Sequence, residues 1–300
     1  MRVYNNQNIN RWFFNVDVGV INALGLFIKQ GVPVLDRGCF KNPLVVGSGN
    51  AAETGKIIYE DVDAVSASES SYERELEARP SIDGAILISA SGGKSSIAIA
   101  ENLKKRGLET KLLTCNSDAP AKKFIEDKNV FIFPKNSEPY TYNTSTYMGM
   151  ILGKTQENPK EIYEYLKDVV EPRLCDFKNY TGFYWMLLKE HLNISKMFQV
   201  KFEELFARRF GRDFYTPEFA KEHATDVVPT PNEIAISIGY DNQEFGENRI
   251  NIPLPSGVDY GRVMATGYYI IGKIQSQKPP WFKENIVDWC GKRSISPFVE

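Results

Sequence analysis

The sequence predicts an α/β fold with a parallel sheet flanked by helices, and three observations support this. Residues 84–89 (GAILIS) form a continuous apolar run, which is typical of a parallel strand buried on both faces. Residues 17–31 and 96–106 carry apolar residues at near-helical spacing, and each pattern stops at a glycine or directly before one. Strand-like runs alternate with these helical patterns, and this alternation indicates βαβ units and a parallel sheet.

In chain order, the first half contains five predicted strands separated by helical segments. The strands are predicted at residues 43–46, 63–67, 84–89, 111–114 and 130–133. The second half continues the pattern less regularly, with helical segments near 160–170 and 181–192, a strand at 197–202, a helix at 203–210, a strand at 233–239 and a helix at 259–275. A polar stretch at 156–159 divides the chain, so we expect one half at 1–155 and a second at 156–300.

The composition excludes several classes of protein. The 300 residues are 42% hydrophobic and 25% charged with a formal net charge of −2, as in an ordinary soluble globular chain. Lysine and arginine form no dense block, so we expect no nucleic-acid partner. We also expect no membrane segment and no signal peptide, because the longest apolar runs fall short of the roughly 20 residues that a membrane span needs.

Cysteine and histidine are too few and too dispersed for a disulfide framework or a structural zinc site. The four cysteines form no C-x-x-C pair, and the two histidines, His191 and His223, lie far apart in the sequence. We therefore expect no bound metal and a reducing, cytoplasmic setting.

Two glycine-rich turns follow predicted strands, where the start of a helix offers unpaired amides to an anion. The first, residues 47–52 (GSGNAA), fits the loose dinucleotide fingerprint G-x-G-x-x-A. Such a site also needs an acidic residue about 20 positions further on, and Glu69 is close to that position. An NAD(P)-dependent oxidoreductase therefore stays open as an interpretation, beside a purely structural turn.

The second turn, residues 89–96 (SASGGKSS), predicts a phosphate site. Its serine hydroxyls, its two glycines and the Lys94 ammonium concentrate the donors that phosphate oxygens accept. The P-loop pattern G-x-x-x-x-G-K-[ST] requires a glycine five positions before Gly93, and that position is Ile88. A P-loop kinase is thereby disfavoured, while a solvated serine turn that caps a helix stays open.

The ordered set of these motifs resembles the sugar isomerase (SIS) domain family. The run ISASGGKSS is similar to the family's second loop, and LLTCNSDAPAKKF is similar to its next strand and polar turn. Residues 138–144 (EPYTYNT) are similar to its E-x-x-V-A-x-T element, and residues 47–50 fall where the family has its first glycine loop. Together these motifs cover about residues 20–155 in the family's order.

The resemblance implies flavodoxin-like parallel sheets flanked by helices, in two SIS-like halves, with a phosphosugar bound at the carboxyl ends of the strands. The positions that match the family's phosphate contacts are Ser89, Ser91, Lys94 and Ser96. Those that match its sugar-side contacts are Gly47, Ser48, Asn50, Glu138 and Thr144. Two positions depart from the family pattern, because Lys94 replaces its threonine and Gly93 its usual acid.

The resemblance also implies a role for residues of the second half. Isomerases of this type use a histidine to open the sugar ring and a carboxylate to move a proton between C1 and C2. His223 matches the family's histidine loop in placement, and Glu222 is the first choice for the base, with Glu218 and Glu233 as alternatives. The family histidine often reaches a neighbouring subunit, so we expect a homodimer. Lys292 is a weak match to a lysine of some members.

The sequence therefore predicts a phosphosugar isomerase, or a closely related deaminase, that needs no cofactor and acts on a small sugar phosphate. Two alternatives remain: a non-catalytic phosphosugar-binding regulatory protein, and the oxidoreductase built on residues 47–52.

Overall fold

The computed structural model describes residues 13–299, and of Val299 its backbone alone. The first half forms a five-stranded sheet. Its strands are Pro43–Gly47 (β1), Val65–Ser68 (β2), Gly84–Ile88 (β3), Thr110–Thr114 (β4) and Val130–Ile132 (β5). They lie in the order β2-β1-β3-β4-β5, and every neighbouring pair is parallel. Every residue of β1, β3 and β4 is buried, because helices cover both faces of the sheet.

The helices of this half start or end at the turns that the sequence marks. They are Val16–Gln30 (α1), Asn50–Ile58 (α2), Tyr72–Ala78 (α3), Ser95–Lys105 (α4) and Thr144–Thr155 (α5). Short 3₁₀ turns at Pro120–Phe124 and Asp127–Asn129, and a two-residue strand at Glu138–Pro139 (β6), complete the half. Helix α1 ends where predicted, since Gly31 adopts a φ of 85° that other residues rarely take.

The second half forms a four-stranded parallel sheet. Its strands are Gly182–Leu187 (β7), Gly211–Tyr215 (β8), Glu233–Ile238 (β9) and Asn248–Ile252 (β10), in the order β10-β9-β7-β8. Its helices are Pro159–Tyr165 (α6), which continues through a π turn at Leu166–Val170 and a 3₁₀ turn at Glu171–Arg173, then Ser195–Phe206 (α7), Pro217–Glu222 (α8), Tyr260–Gln277 (α9) and Trp281–Gly291 (α10). A 3₁₀ turn at Lys189–Ile194 precedes α7, and Phe298–Val299 (β11) pairs antiparallel with β6.

Two sequence-based assignments in this half are wrong. Residues 181–192 do not form a helix, because the aromatic and apolar run of β7 is buried along its whole length in the sheet. Residues 197–202 do not form a strand, because they lie inside α7. The buried face of α7 includes the charged Lys201, which interrupts its apolar stripe in the sequence.

A single hydrophobic cluster includes side chains from both sheets, among them Ile86 of β3 and Trp185 of β7. Helix α1 packs against α5 and against α9, so the two halves share a helical layer. The division at residues 155 and 156 falls at the end of α5, and separate domains on either side of it stay a prediction. Among the described residues, no helix is both long and apolar enough to cross a bilayer.

Candidate functional site

A cleft of about 460 Å³ lies at the carboxyl ends of β1 and β3, and we call it the serine-loop cleft. These two strands are neighbours in the sheet, and the chain leaves β1 towards β2 on one side and β3 towards β4 on the other. Such a topological switch point is where open parallel sheets bind ligands, because the loops after the two strands diverge. Both glycine-rich turns of the sequence line this cleft.

The second turn curls over the end of β3 through its own hydrogen bonds. The Gly92 amide donates to Ser89 Oγ at 3.1 Å, and the Gly93 amide donates to Ser91 Oγ at 3.3 Å. Ser96 Oγ donates to the Gly93 carbonyl at 2.6 Å. This turn leads directly into α4, so serine hydroxyls and the positive end of the helix dipole lie together at one end of the cleft.

Lys94 is exposed and lies at the mouth of the cleft. Its backbone has a φ of 52°, which is uncommon for a residue with a side chain. Its ammonium donates to the Tyr140 hydroxyl at 2.7 Å and lies 5.4 Å from the centre of that ring. The lysine therefore faces across the cleft towards Tyr140, which also lines it.

The first turn forms the opposite wall. At Gly47 a Cβ would come within 2.7 Å of the Ala52 amide nitrogen, so a side chain here would collide with the start of α2. Ser48 Oγ donates to Glu69 at 2.8 Å. Asn50 is buried, and its Nδ2 donates to the Tyr268 hydroxyl at 3.0 Å. Gly47, Ser48 and Asn50 all line the cleft with the serine turn, and their contact with a sugar stays a prediction.

Glu138 and Thr144 lie behind the wall of the cleft and are not among the residues that line it. The buried Glu138 carboxylate accepts the amides of Thr144 at 2.6 Å and Ser145 at 2.8 Å, and so caps α5. Burial raises the pKa of this carboxyl, and the hydrogen bonds to it act in the opposite direction. Its effect on the cleft is indirect, because the cap holds in place the segment from Tyr140 to Asn143, which lines the cleft.

Two residues of α7 that the sequence did not indicate lie beside the segment from Tyr140 to Asn143. Lys201 is fully buried, and its Nζ donates to the carbonyls of Thr141 at 2.9 Å and Tyr142 at 3.1 Å. It also donates to Glu204 Oε2 at 2.6 Å, and Glu204 lines the cleft with about 24% of its side chain accessible. Burial raises the pKa of the Glu204 carboxyl, and the Lys201 ammonium opposes this shift. Lys201 and Glu204 are three positions apart, so on a helix they lie on one face and can form an ion pair. The wrong strand assignment at 197–202 hid this signal in the sequence.

Several polar atoms at the cleft have no hydrogen-bond partner within residues 13–299. They are Asn50 Oδ1, Thr141 Oγ1 and Asn143 Oδ1. All three residues line the serine-loop cleft. Unpaired buried acceptors are costly, so this wall is suited to a ligand that carries several hydroxyl donors.

The predicted acid–base pair of the second half lies elsewhere in the chain. Glu222 ends α8, His223 follows it, and both are exposed. The His223 ring packs 4.3 Å from that of Phe219. Neither residue lines the cleft of the same chain, and the same holds for the alternative bases Glu218 and Glu233 and for Lys292, which pairs with Asp288. A contribution of His223 to the cleft of another copy stays a prediction.

Residues near the C-terminus close one side of the cleft. Ile295, Ser296 and Phe298 line it, and strand β11 is held there by its pairing with β6. Within residues 13–299, no group of three or more His, Cys, Asp and Glu side chains is placed to hold a metal ion.

The fold is that of solved phosphosugar enzymes. Glucosamine-6-phosphate deaminase from Thermotoga maritima superposes with a TM-score of 0.63 at 16% identity, over 94% of this chain and 95% of that one. The C-terminal domain of glucosamine-fructose-6-phosphate aminotransferase from Francisella tularensis superposes with a TM-score of 0.62 at 13% identity, over 88% and 97%. Tagatose-6-phosphate ketose/aldose isomerase from Escherichia coli gives 0.56 at 12% identity, over 88% and 89%.

At the sequence level, no protein-family profile matches this chain, and no curated protein matches it. The structural neighbours confirm the predicted α/β fold and its resemblance to the SIS fold. Because all three identities are below 25%, the likeness extends to the fold and leaves the reaction to be argued from the site.

Proposed function

We propose that the protein is a phosphosugar isomerase, acting as an aldose–ketose isomerase or a closely related deaminase on a sugar phosphate. The observation that carries this proposal is the meeting of a serine-rich phosphate turn with a shielded carboxylate, Glu204, in one cleft. The serine turn favours an anion, and the polar wall at Asn50 favours a polyol. Each of the three neighbouring structures bears the name of a protein of phosphosugar chemistry, which supports the substrate class.

The phosphate would be held by Ser89, Ser91 and Ser96 at the start of α4, with Lys94 at the cleft mouth. The sugar would extend past Gly47, Ser48 and Asn50 towards Glu204. This direction places the phosphate at the serine turn and the reacting carbons at Glu204, within one cleft.

Glu204 would be the base in place of Glu222. In the open-chain aldose it takes the proton from C2, which leaves an enediolate. The hydroxyl proton moves from O2 to O1 as the carbonyl forms at C2, and Glu204 returns its proton to C1. Its raised pKa brings it closer to neutrality, where a carboxylate is effective in both directions of proton transfer. Ring opening is assigned to His223 from a second copy, so a cytoplasmic homodimer is part of this proposal.

A panel of sugar phosphates, followed by thermal shift and by assay of isomerised product, tests the function. A ligand that binds the native state at one hundred times its dissociation constant stabilises it by about 2.7 kcal/mol. Glu204→Gln is expected to lower kcat by about 10²–10⁴-fold while binding is retained. The matched control is Glu203→Gln, since Glu203 is exposed and does not line the cleft.

Three results would argue against this function. Binding without turnover in the unmodified protein would favour the phosphosugar-binding regulator. Saturable binding of NAD(P) with no response to any sugar phosphate would favour the oxidoreductase at residues 47–52. Full activity in Glu204→Gln would remove Glu204 as the base.

A further inference from the structure

The proposed function gives no role to Glu69, the acidic residue that follows the first glycine-rich turn by about 20 positions. In the sheet, Gly47 at the end of β1 pairs with Ser68 at the end of β2. The residues that follow them, Ser48 and Glu69, therefore leave the same edge of the sheet side by side. Ser48 Oγ donates to Glu69 Oε1 at 2.8 Å. Strand pairing thus brings this carboxylate to a serine that lines the serine-loop cleft.

Serine groups also fix the turn that carries Glu69. The Ser68 amide donates to Ser71 Oγ at 3.0 Å, and the Ser71 amide donates to the Ser68 carbonyl at 3.1 Å. The two hydroxyls lie 3.2 Å apart. These bonds close a short turn around Glu69 before α3 begins, so the backbone on both sides of Glu69 is held in place.

The hydrogen bond between Ser48 and Glu69 has one direction while the carboxylate is ionised. An ionised carboxylate accepts hydrogen bonds and has no proton to donate, so the proton comes from the Ser48 hydroxyl. The lone pairs of the Ser48 oxygen then remain for a donor from the ligand. A sugar hydroxyl is such a donor, whereas a fully ionised phosphate has acceptor oxygens only.

Backbone conformation does not distinguish the two glycine-rich turns of the cleft. Gly49, directly before α2, has a φ of 54° and a ψ of −127°, and Lys94, directly before α4, has a φ of 52° and a ψ of −128°. Each turn leads into the positive end of a helix dipole, which is suited to an anion. The turns differ in the charge beside them, because the Glu69 carboxylate lies at the first and the Lys94 ammonium at the second.

We propose that Glu69 is a positioning residue that sets the direction in which the ligand lies in the serine-loop cleft. It acts through Ser48 and through its charge, because Glu69 does not itself line the cleft. The charge keeps a phosphate off the first turn, and the hydrogen bond presents Ser48 as an acceptor to a sugar hydroxyl. This inference rests on the proposed function, since it takes the ligand to carry a phosphate at one end and hydroxyls along the rest.

The test is Glu69→Gln, which removes the charge and keeps the size of the side chain. Thermal-shift titration of the full chain measures its affinity for fructose 6-phosphate, glucose 6-phosphate and inorganic phosphate. Affinity for the sugar phosphates is expected to fall about two- to tenfold, the range for one hydrogen bond. Affinity for inorganic phosphate is expected to rise by about twofold at low salt, because a repelling charge is gone.

The matched control is Glu77→Gln, which makes the same change in net charge. Glu77 is exposed on α3 and does not line the cleft, so this variant is expected to keep all three affinities. The opposite signs for the two kinds of ligand separate a positioning role from a structural one, since a disturbed cleft would bind both kinds more weakly.

A double-mutant cycle with Ser48→Ala tests whether Glu69 acts on the sugar through Ser48. Each single change is expected to weaken binding of the sugar phosphates, and Glu69→Gln is expected to add little once the Ser48 hydroxyl is absent. The rise in affinity for inorganic phosphate persists in the Ser48→Ala background, because it depends on charge alone.

Unchanged affinity of Glu69→Gln for the sugar phosphates overturns the inference and leaves the proposed function standing. The same holds for a parallel fall in affinity for sugar phosphates and inorganic phosphate, and for additive losses in the double variant. Saturable NAD(P) binding that Glu69→Gln abolishes would assign Glu69 to a dinucleotide site and also overturns the inference. If no sugar phosphate binds the unmodified chain at all, the proposed function fails and the inference falls with it.

Discussion

The two sheets contribute different things to the serine-loop cleft. The five-stranded sheet supplies the turns after β1 and β3, which are continuous stretches of sequence rich in glycine and serine. Between residues 182 and 252, the part of the chain that contains the four-stranded sheet, Glu204 alone lines the cleft, and it comes from a helix. The difference separates the proposed phosphate anchoring, which would depend on local motifs, from the proposed proton transfer, which would depend on how the second half packs against the first.

Two carboxylates of the second half show the same contrast. Glu204 is accessible to the cleft, paired with a buried lysine and shifted in pKa by burial. Glu222 is exposed at the end of α8 and does not line the cleft. Sequence proximity to a histidine favoured Glu222, whereas burial and position favour Glu204.

Replacement of Lys201 by Met is expected to have the largest effect on stability. The half-buried Glu204 carboxylate and the carbonyls of Thr141 and Tyr142 would each lose the buried Lys201 ammonium as donor, which costs about 3–5 kcal/mol by the range for broken buried pairs. Since the Lys201 ammonium lowers the pKa of Glu204, its loss raises that pKa further, and the acidic limb of kcat/KM moves to higher pH. Urea unfolding and a pH–rate profile measure the two effects.

The matched control for this change is Lys196→Met on the same helix, because Lys196 is exposed and bonds to Gln199. If both variants were equally stable and had the same pH profile, the second half would not hold the carboxylate in the manner described.

Gly92→Ala tests whether the serine turn depends on close packing. Gly92 has a φ of 61°, and a Cβ there would lie 2.3 Å from the Ala119 Cβ. Gly107 has a similar φ of 72° with nothing near its Cβ position, so Gly107→Ala isolates the backbone cost. Gly92→Ala is expected to be the less stable variant by about 1–3 kcal/mol, the range for overpacking. Equal melting behaviour of the two variants would contradict this.

Ser91→Ala is expected to have the smallest effect on the free energy of unfolding and to act on ligand binding. Loss of a hydroxyl that bonds to a charged phosphate costs about 1.5–3 kcal/mol, which raises KM roughly ten- to a hundredfold with little change in kcat. Steady-state kinetics measure the split, and Ser117→Ala, at an exposed serine outside the cleft, is the control. A fall in kcat with unchanged KM would break the division between anchoring and proton transfer.

The first half was predictable because its signals are local. A buried parallel strand reads as a continuous apolar run, and the turn that follows it needs glycine and serine at adjacent positions, as at residues 84–96. Secondary structure in the second half was harder to predict from the sequence. The strand at Gly182–Leu187 was predicted as a helix, and part of the helix at Ser195–Phe206 was predicted as a strand. A charged residue at a core position, Lys201, breaks the apolar period by which a helix is recognised.

The sequence by itself determined the α/β class, the parallel sheet of the first half and the serine turn, because each depends on neighbours within a few residues. Tertiary structure alone decided which carboxylate of the second half lines the same cleft as the serine turn. Glu204 reaches the cleft because α7 packs against α2 and α9, and Lys201 reaches across from the same helix to carbonyls about 60 residues earlier in the chain. No local pattern encodes a contact at that separation, since it exists only once the two halves share a core.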